Sequence, residues 1–199
     1  RIDYSNDTAT ASPKGPLSVA RYGSGAAGNS SYGWFGGGGL SSGSTSTVDR
    51  IDYASDTATA SPKGPLSSIR YQASGAGNSN YGWVAGGFPG AKSSVDRIDY
   101  SNDTATASVR GPLTITRNWA TSTGNSSYAW VASKFSPTVS SVDRIDYSND
   151  PTTASPRGPL RRTTFGFSST GNSSFGYFGG GTSLLSQVHS IDTSNTPPK

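Results

Sequence analysis

The ionisable side chains of this chain are of few kinds. All twelve acids are aspartates, the sixteen strong bases are Lys and Arg, and one histidine, His189, stands near the C-terminal end. The absence of cysteine excludes a thiol nucleophile, a disulfide framework and a Cys-based metal site. A single histidine is too few for a multi-histidine zinc or copper site. Pairs of carboxylates are therefore the main catalytic groups that the composition leaves to be considered.

The aspartates stand at repeated positions, which argues against catalysis. Asp49, Asp96 and Asp143, for example, occupy one site in three copies of the same motif. A catalytic acid pair needs two carboxylates in different environments, so that their pKa values separate. Copies of one site have the same environment. We therefore interpret the Asp and Arg residues as ion-pair partners between repeats and as turn caps, and we expect no enzyme, no cofactor and no metal.

The motif Arg-Ile-Asp-Tyr recurs along the chain. It begins at Arg1, Arg50, Arg97 and Arg144, at intervals of 49, 47 and 47 residues, and a decayed fifth copy begins at Ser190. A period of this length is typical of a four-stranded propeller blade and exceeds most helical and leucine-rich repeats. We therefore interpret residues 1–199 as a single repeat domain.

One unit, residues 46–87, contains the pattern of four short strands. The predicted strands are residues 46–53, 57–61, 67–75 and 81–85. Pro62 is expected to end the second of them and to form a corner, and Gly77-Asn78 is expected to form a hairpin turn. The doublet Gly86-Gly87 allows two backbones to pass closely where a Cβ would clash. Repetition of such a unit predicts an all-β architecture.

The order of motifs within the unit resembles a kelch repeat. Arg70 opens the unit, residues 81–87 supply an aromatic strand that ends in Gly-Gly, and Val95–Asp99 supply the strand after it. The chain departs from the kelch pattern where Ile98 stands for Tyr and Ser133-Lys134 for the Gly doublet. The resemblance implies a β-propeller of four-stranded antiparallel blades. Its structural repeat positions in this chain are Trp34, Arg50, Asp52, Trp83, Gly86, Gly87, Arg97, Asp99, Trp130, Arg144 and Asp146.

The strand count predicts a propeller of four blades, the low end of the range for this fold. The chain begins and ends within a blade, so residues 8–12 are expected to supply the fourth strand of the last blade and to close the ring. Two alternatives remain open. The units could belong to a larger ring, or they could stack between subunits.

Residues that break the repeat are the candidates for ligand binding. Propellers present ligands at their loops and innermost strands, and aromatic faces beside Arg or Asn suit sugars and peptides. The candidate ligand-binding residues are Tyr22, Tyr71, Phe88, Trp119, Arg161, Arg162 and Phe165. The alternative is that these aromatic rings fill the core and the charges are solvated. The net charge of +4 comes from scattered bases rather than from a stripe, so we expect no nucleic-acid partner.

Several further features have simple interpretations. Residues 3–7 suggest a calcium loop but lack the Gly and the distal acid of an EF-hand, so we interpret them as a hairpin turn. We interpret residues 36–39 as a loop and His189 as solvent-exposed. No apolar run reaches the roughly 20 residues of a membrane helix, so membrane insertion is not expected. Sequons allow glycosylation at Asn6, Asn29, Asn102, Asn125 and Asn172.

The leading hypothesis for function is a non-catalytic structural or adhesive module of an extracellular particle. The chain resembles RIDYSNDTATAS–RGPL repeat arrays in proteins of bacteriophages and environmental microbes, which implies a fibre, decoration or tail-associated protein on a virion surface. The lack of oxidisable Cys and Met and the near-identical repeats suit a rigid, durable module. The alternative is a glycan-binding propeller used for receptor binding. The expected partners are therefore other subunits of the particle or surface glycans.

Overall fold

The computed structural model describes residues 1–6, 8–163, 165–182 and 186–194. The chain is all-β, and its strands form four antiparallel sheets arranged as a four-bladed β-propeller. This confirms the predicted fold class and blade number. Each blade begins with its innermost strand, and the second strand is the aromatic strand of the repeat.

The strands follow one another in every sheet in the order of the chain. Blade 1 contains β1 (Gly25–Gly28), β2 (Tyr32–Leu40), β3 (Gly43–Asp52) and β4 (Ser61–Lys63). Blade 2 contains β5 (Ser74–Gly77), β6 (Tyr81–Ala85), β7 (Val95–Asp99) and β8 (Ser108–Arg110). Blade 3 contains β9 (Thr121–Gly124), β10 (Tyr128–Ala132), β11 (Val142–Asp146) and β12 (Ser155–Arg157). Blade 4 contains β13 (Phe167–Gly171), β14 (Phe175–Gly180) and β15 (Val188–Asp192).

Short 3-10 turns follow the third strand in blades 1 to 3, at Tyr53–Ser55, Tyr100–Asn102 and Tyr147–Asn149. An aspartate caps each turn. Asp99, for example, accepts a hydrogen bond of 2.9 Å from the backbone N–H of Ser101, and it also accepts one from the Ser101 hydroxyl. These hydrogen bonds lower the pKa of the Asp99 carboxyl, because they stabilise its charged form.

The N-terminal segment does not close the ring, so that prediction is wrong. Residues 8–12 form no strand, and the backbone N–H of Ser12 donates to the carbonyl of Arg1 at 3.0 Å. The segment then continues against blade 1, where Gly15 N–H donates to the carbonyl of Asp56 at 2.8 Å. Arg1 and Ser12 are the repeats of Arg50 and Ser61, which pair in blade 1. Pairing over 11 residues also closes a much shorter loop than pairing with blade 4.

The outer strand of each blade lies a few residues later than predicted. In blade 1 it is Ser61–Lys63 rather than residues 57–61, and Pro62 stands inside it opposite Asp49. A proline fits there because the outermost strand has one edge without hydrogen-bond partners. The prediction that Pro62 ends the strand is wrong, whereas the aromatic strand Tyr81–Ala85 lies where the sequence predicted it.

Adjacent blades meet at a set of contacts that we call the blade joint. Trp34 of blade 1 stacks on Tyr100 of blade 2 with ring centroids 3.7 Å apart, and its indole N–H donates to Asp103 at 3.0 Å. Arg50 and Lys63 of blade 1 form ion pairs with the same Asp103 carboxylate at 3.0 and 3.5 Å. The corresponding residues between blades 2 and 3 are Trp83, Tyr147, Asp150, Arg97 and Arg110.

A second set of contacts, the linker clamp, anchors the segments that enter blades 1, 2 and 3. In blade 2, Asp96 is fully buried on β7 and accepts hydrogen bonds from the backbone and hydroxyl of Ser67, at 2.8 and 2.7 Å. The guanidinium of Arg70 lies 3.2 Å from the same carboxylate. Burial lowers the pKa of Arg70, and Asp96 opposes that shift. The clamps of blades 1 and 3 contain Ser18, Arg21 and Asp49, and Thr114, Arg117 and Asp143.

The Gly doublet after the aromatic strand allows the backbone of the next linker to approach closely in blades 1 and 2. Gly86 has a φ of +70°, and a Cβ there would lie 2.7 Å from the carbonyl oxygen of Arg117. Ser133 takes the Gly86 position in blade 3 and keeps a positive φ of 76°. Residues 36–39 belong to β2, so their interpretation as a loop is wrong. A β-bulge between Gly36 and Gly38 accommodates the close approach of the two backbones within that strand.

Candidate functional site

The residue two positions after the opening Arg position has left-handed backbone geometry in all four blades. The residues are Gly23, Gln72, Trp119 and Gly166, with φ of 66°, 56°, 53° and 72°. Glycine adopts this conformation at no steric cost, whereas Gln72 and Trp119 are strained in it. Non-glycine residues held in such geometry are concentrated at functional sites.

These four positions come together at the centre of the propeller. They line a cavity of about 400 Å³, together with Tyr22, Ala73, Ala120 and Phe167. The cavity is therefore built from equivalent points of the four blades, just before their innermost strands. Two of those points carry long side chains, the carboxamide of Gln72 and the indole of Trp119, and two are glycines. The side chains that line the cavity are therefore not fourfold symmetric.

Two groups of exposed and partly exposed aromatic rings, which we call the aromatic face, extend outward from Tyr22 and Trp119 of this cavity. In the first group, Tyr71 contacts both Tyr22 and Phe88 edge to face, with ring centroids 5.6 and 5.5 Å apart. In the second group, Phe165 lies 6.1 Å from Trp119 and 4.7 Å from Phe135. Trp119 is 42% exposed and Tyr22 is 58% exposed. Such rings offer flat apolar surface to a ligand, and Tyr22 also offers a hydroxyl.

The predicted ligand-binding residues divide into two places. Tyr22, Tyr71, Phe88, Trp119 and Phe165 all belong to the aromatic face. The two arginines do not line the central cavity: Arg161 and Arg162 line a different one, of about 550 Å³, with Gln187, Val188 and His189. Sequence reasoning missed Gln72. The signal was present in the alignment of the repeats, because Gln72 and Trp119 stand where two units have glycine.

His189 is buried, and the prediction that it is solvent-exposed is wrong. It is 5% exposed, lies on the inner side of β15 opposite Phe178, and packs edge to face on Phe167. Among the described residues, neither of its ring nitrogens has a hydrogen-bond partner. His189 takes the position that Asp143 has in the linker clamp of blade 3. The clamp chemistry of the other blades is therefore absent from blade 4.

The sequon asparagines and the acidic turns have structural partners within the chain. The side-chain oxygen of Asn29 accepts hydrogen bonds from the backbone of Ser31 and Tyr32, both at 2.9 Å, and so shapes the hairpin turn. Asn125 and Asn172 do the same in blades 3 and 4. Asp3 caps its own turn through Ser5 N–H at 3.0 Å. The glycosylation of these sites stays a prediction.

The described part of the chain contains no group of three His, Cys, Asp or Glu residues placed to hold a metal ion. It also contains no helix long and apolar enough to span a membrane. The aromatic face can act by stacking, by apolar contact and by hydrogen bonding from Gln72 and Tyr22. No protein-family model matches this chain, and a search of curated proteins finds no relative.

Proposed function

We propose that the chain is a non-catalytic adhesive module of an extracellular particle and that it binds glycans at the aromatic face. The observation that carries this proposal is the pair of strained residues, Gln72 and Trp119, in a central cavity whose other two equivalent positions are glycine. Strain of this kind costs stability, so a functional gain at that place offsets it.

Carbohydrate is the ligand class that suits this combination of groups. One face of a pyranose ring is lined by C–H bonds, which pack against an aromatic ring, while its hydroxyls need hydrogen-bond donors and acceptors. Trp119 supplies exposed ring surface, and a carboxamide such as that of Gln72 both donates and accepts. The cavity of about 400 Å³ is within the usual range for small-ligand sites and is large enough for one or two sugar units.

The particle we propose is a phage virion, with the chain as a fibre, decoration or tail-associated protein, and the units as degenerate kelch repeats. The order of opening Arg, aromatic strand, Gly doublet and following strand supports the kelch assignment. The blade joints and linker clamps support a rigid role, because each fixes its blade by several buried polar contacts. The lack of Cys and Met suits exposure to oxidants.

The test is a glycan-array screen followed by calorimetric titration of the best sugar. We expect Trp119→Ala and Gln72→Ala each to weaken binding at least tenfold, since each removes a group that lines the cavity. Tyr4→Ala is the control, because Tyr4 is 94% exposed on the N-terminal segment and lies outside the aromatic face. Equal loss of binding in all three variants, or no bound glycan, would contradict the glycan proposal.

Light scattering of the native chain separates adhesion from a purely structural role. A species near the 20.4 kDa mass of the chain, combined with glycan binding, supports the adhesive module. A large assembly that binds no glycan supports a structural subunit instead.

A further inference from the structure

The joint between blades 3 and 4 has the tryptophan and the two basic residues of a blade joint, but it lacks the aspartate that they contact in the other joints. In the first two joints the carboxylates of Asp103 and Asp150 receive three donors from the preceding blade. In the third joint those donors are present as Trp130, Arg144 and Arg157. The repeat position of the acid holds Thr196, and residues 193–199 contain no Asp or Glu. Thr196 lies outside the described residues.

No described carboxylate accepts a hydrogen bond from the donors of the third joint. Trp130 is 3% exposed, yet no described group accepts a hydrogen bond from its indole N–H, unlike those of Trp34 and Trp83. Arg144 lies over the ring of Tyr128 at 4.1 Å and is in none of the ion pairs found between described residues; its Nε is buried without a partner. Arg157 donates only to the neighbouring carbonyl of Pro156, at 2.9 Å.

The two arginines lie close enough to disturb each other. Burial, followed by the charge of Arg144, lowers the pKa of the Arg157 guanidinium. Arg97 and Arg110 in the second joint share the carboxylate of Asp150 at 3.1 and 3.4 Å. The third joint therefore carries two positive charges but, among the described residues, no counterpart of the Asp103 and Asp150 carboxylates. The Asp192 carboxylate nearby accepts hydrogen bonds from Ser194 and forms no ion pair with either arginine among the described residues.

A cavity of about 240 Å³ opens at these donors. It is lined by Trp130, Arg144 and Arg157, and by residues of blade 4 that include Ile191 and Asp192. The adjacent turn carries Thr193 where the other joints have a tyrosine. Among the described residues, therefore, no ring stacks on Trp130 as Tyr100 stacks on Trp34. The donors that hold an aspartate in the other joints therefore line a cavity in this one.

We propose that this cavity binds the carboxylate of a small acid, such as a sugar acid, in the place that Asp103 and Asp150 occupy in the other joints. The two joints that contain an aspartate, which we call the filled joints, indicate how the ligand would be held. One oxygen of Asp103 accepts from Trp34 and Arg50, and the other faces Lys63. Trp130 and Arg144 would hold one ligand oxygen, and Arg157 the other. Because the equivalent donors hold a carboxylate in the other two joints, we expect a carboxylate rather than a phosphate or sulfate.

The test uses calorimetric titration of the whole chain with sodium glucuronate, sodium acetate, inorganic phosphate and glucose. We expect both carboxylates to bind and glucose not to bind. Tighter binding of glucuronate than of acetate identifies a sugar acid as the ligand, and equal binding identifies any small carboxylate. Phosphate binding as tight as that of the carboxylates, or no carboxylate binding at tens of millimolar, would overturn the proposal.

Matched variants locate the site. Arg157→Gln is expected to weaken carboxylate binding at least tenfold, whereas Arg110→Gln, the same change in the filled second joint, leaves binding unchanged and lowers the melting temperature. Loss of binding in Arg110→Gln equal to that in Arg157→Gln would contradict the assignment.

This site is independent of the aromatic face. Trp119→Ala is expected to retain full carboxylate binding, so a failure of the glycan proposal leaves this one standing. Loss of carboxylate binding in Trp119→Ala would instead place the carboxylate in the central cavity and overturn the proposal.

Discussion

Each buried tryptophan of the aromatic strands depends on residues that lie in the next blade. Trp83 is 1% exposed, stacks on Tyr147 at 3.8 Å and donates to Asp150 at 2.9 Å. Trp130 is also buried, at 3% exposed, but the following turn offers it Thr193 in place of a tyrosine. Equivalent tryptophans in equivalent strands are therefore expected to contribute differently to the free energy of unfolding.

We expect Trp83→Ala to cost about 3–5 kcal/mol of unfolding free energy, the usual cost of truncating a buried aromatic ring. Trp130→Ala should cost less by about 1–2 kcal/mol, because no stacking partner and no hydrogen bond is lost with it. Urea unfolding of the two variants and the wild type measures the difference. Equal costs would show that the joint contacts of Trp83 add nothing to its burial.

At the scale of elements, the linker clamps join each incoming segment to the third strand of its blade. Asp96 on β7 is fully buried and receives Ser67 and Arg70 from the linker. Asp99, three residues later on the same strand, is half-exposed and only caps a turn. The two aspartates are neighbours in sequence with different structural duties, since alternate residues of a strand face opposite sides.

Asp96→Ala is expected to destabilise the chain by about 3–5 kcal/mol, because it leaves the guanidinium of Arg70 buried without its counter-charge. Asp99→Ala should cost about 1 kcal/mol, as is usual for loss of a capping side chain. Thermal and urea unfolding of both variants gives the comparison. A cost for Asp96→Ala as small as that for Asp99→Ala would mean that water replaces the carboxylate around Arg70.

At the scale of the whole molecule, the four blades are not held by the same contacts. Blade 4 has Arg161 at the hydroxyl position of the clamp and His189 at the aspartate position, and Thr164, outside the described residues, stands at the arginine position. All three members of the clamp are thus replaced. Blade 4 also lacks a described fourth strand.

We expect blade 4 to open first, so that amides of β15 exchange with deuterium faster than those of β11. The triple variant Arg161→Ser, Thr164→Arg, His189→Asp should slow exchange in β15 and raise the melting temperature. His189→Asp alone is the control and should slow exchange less than the triple variant, because it restores only one of the three clamp members. Equal exchange rates in β11 and β15 of the wild type would refute the weak-blade prediction.

Local pattern was enough to predict the parts of the fold that depend on neighbouring residues. The aromatic strand Tyr81–Ala85, the hairpin turn after Gly77 and the capped Asp turns follow from alternation, glycine placement and short polar side chains. The outer strand was misplaced because its pairing partner, not its own composition, determines where it begins. Most of the aromatic face was also predicted, since its members break the repeat.

The sequence by itself determined the period, the all-β class, the four blades and the residues that vary among them. The tertiary structure decided which carboxylate meets which donor, that His189 is buried, that residues 8–12 fold back on Arg1, and that Gln72 and Trp119 share a cavity. The physical reason is the sequence separation over which each kind of interaction acts. Strand and turn preferences act over a few residues, whereas ion pairs and cavities join residues tens of positions apart and exist only when the blades pack.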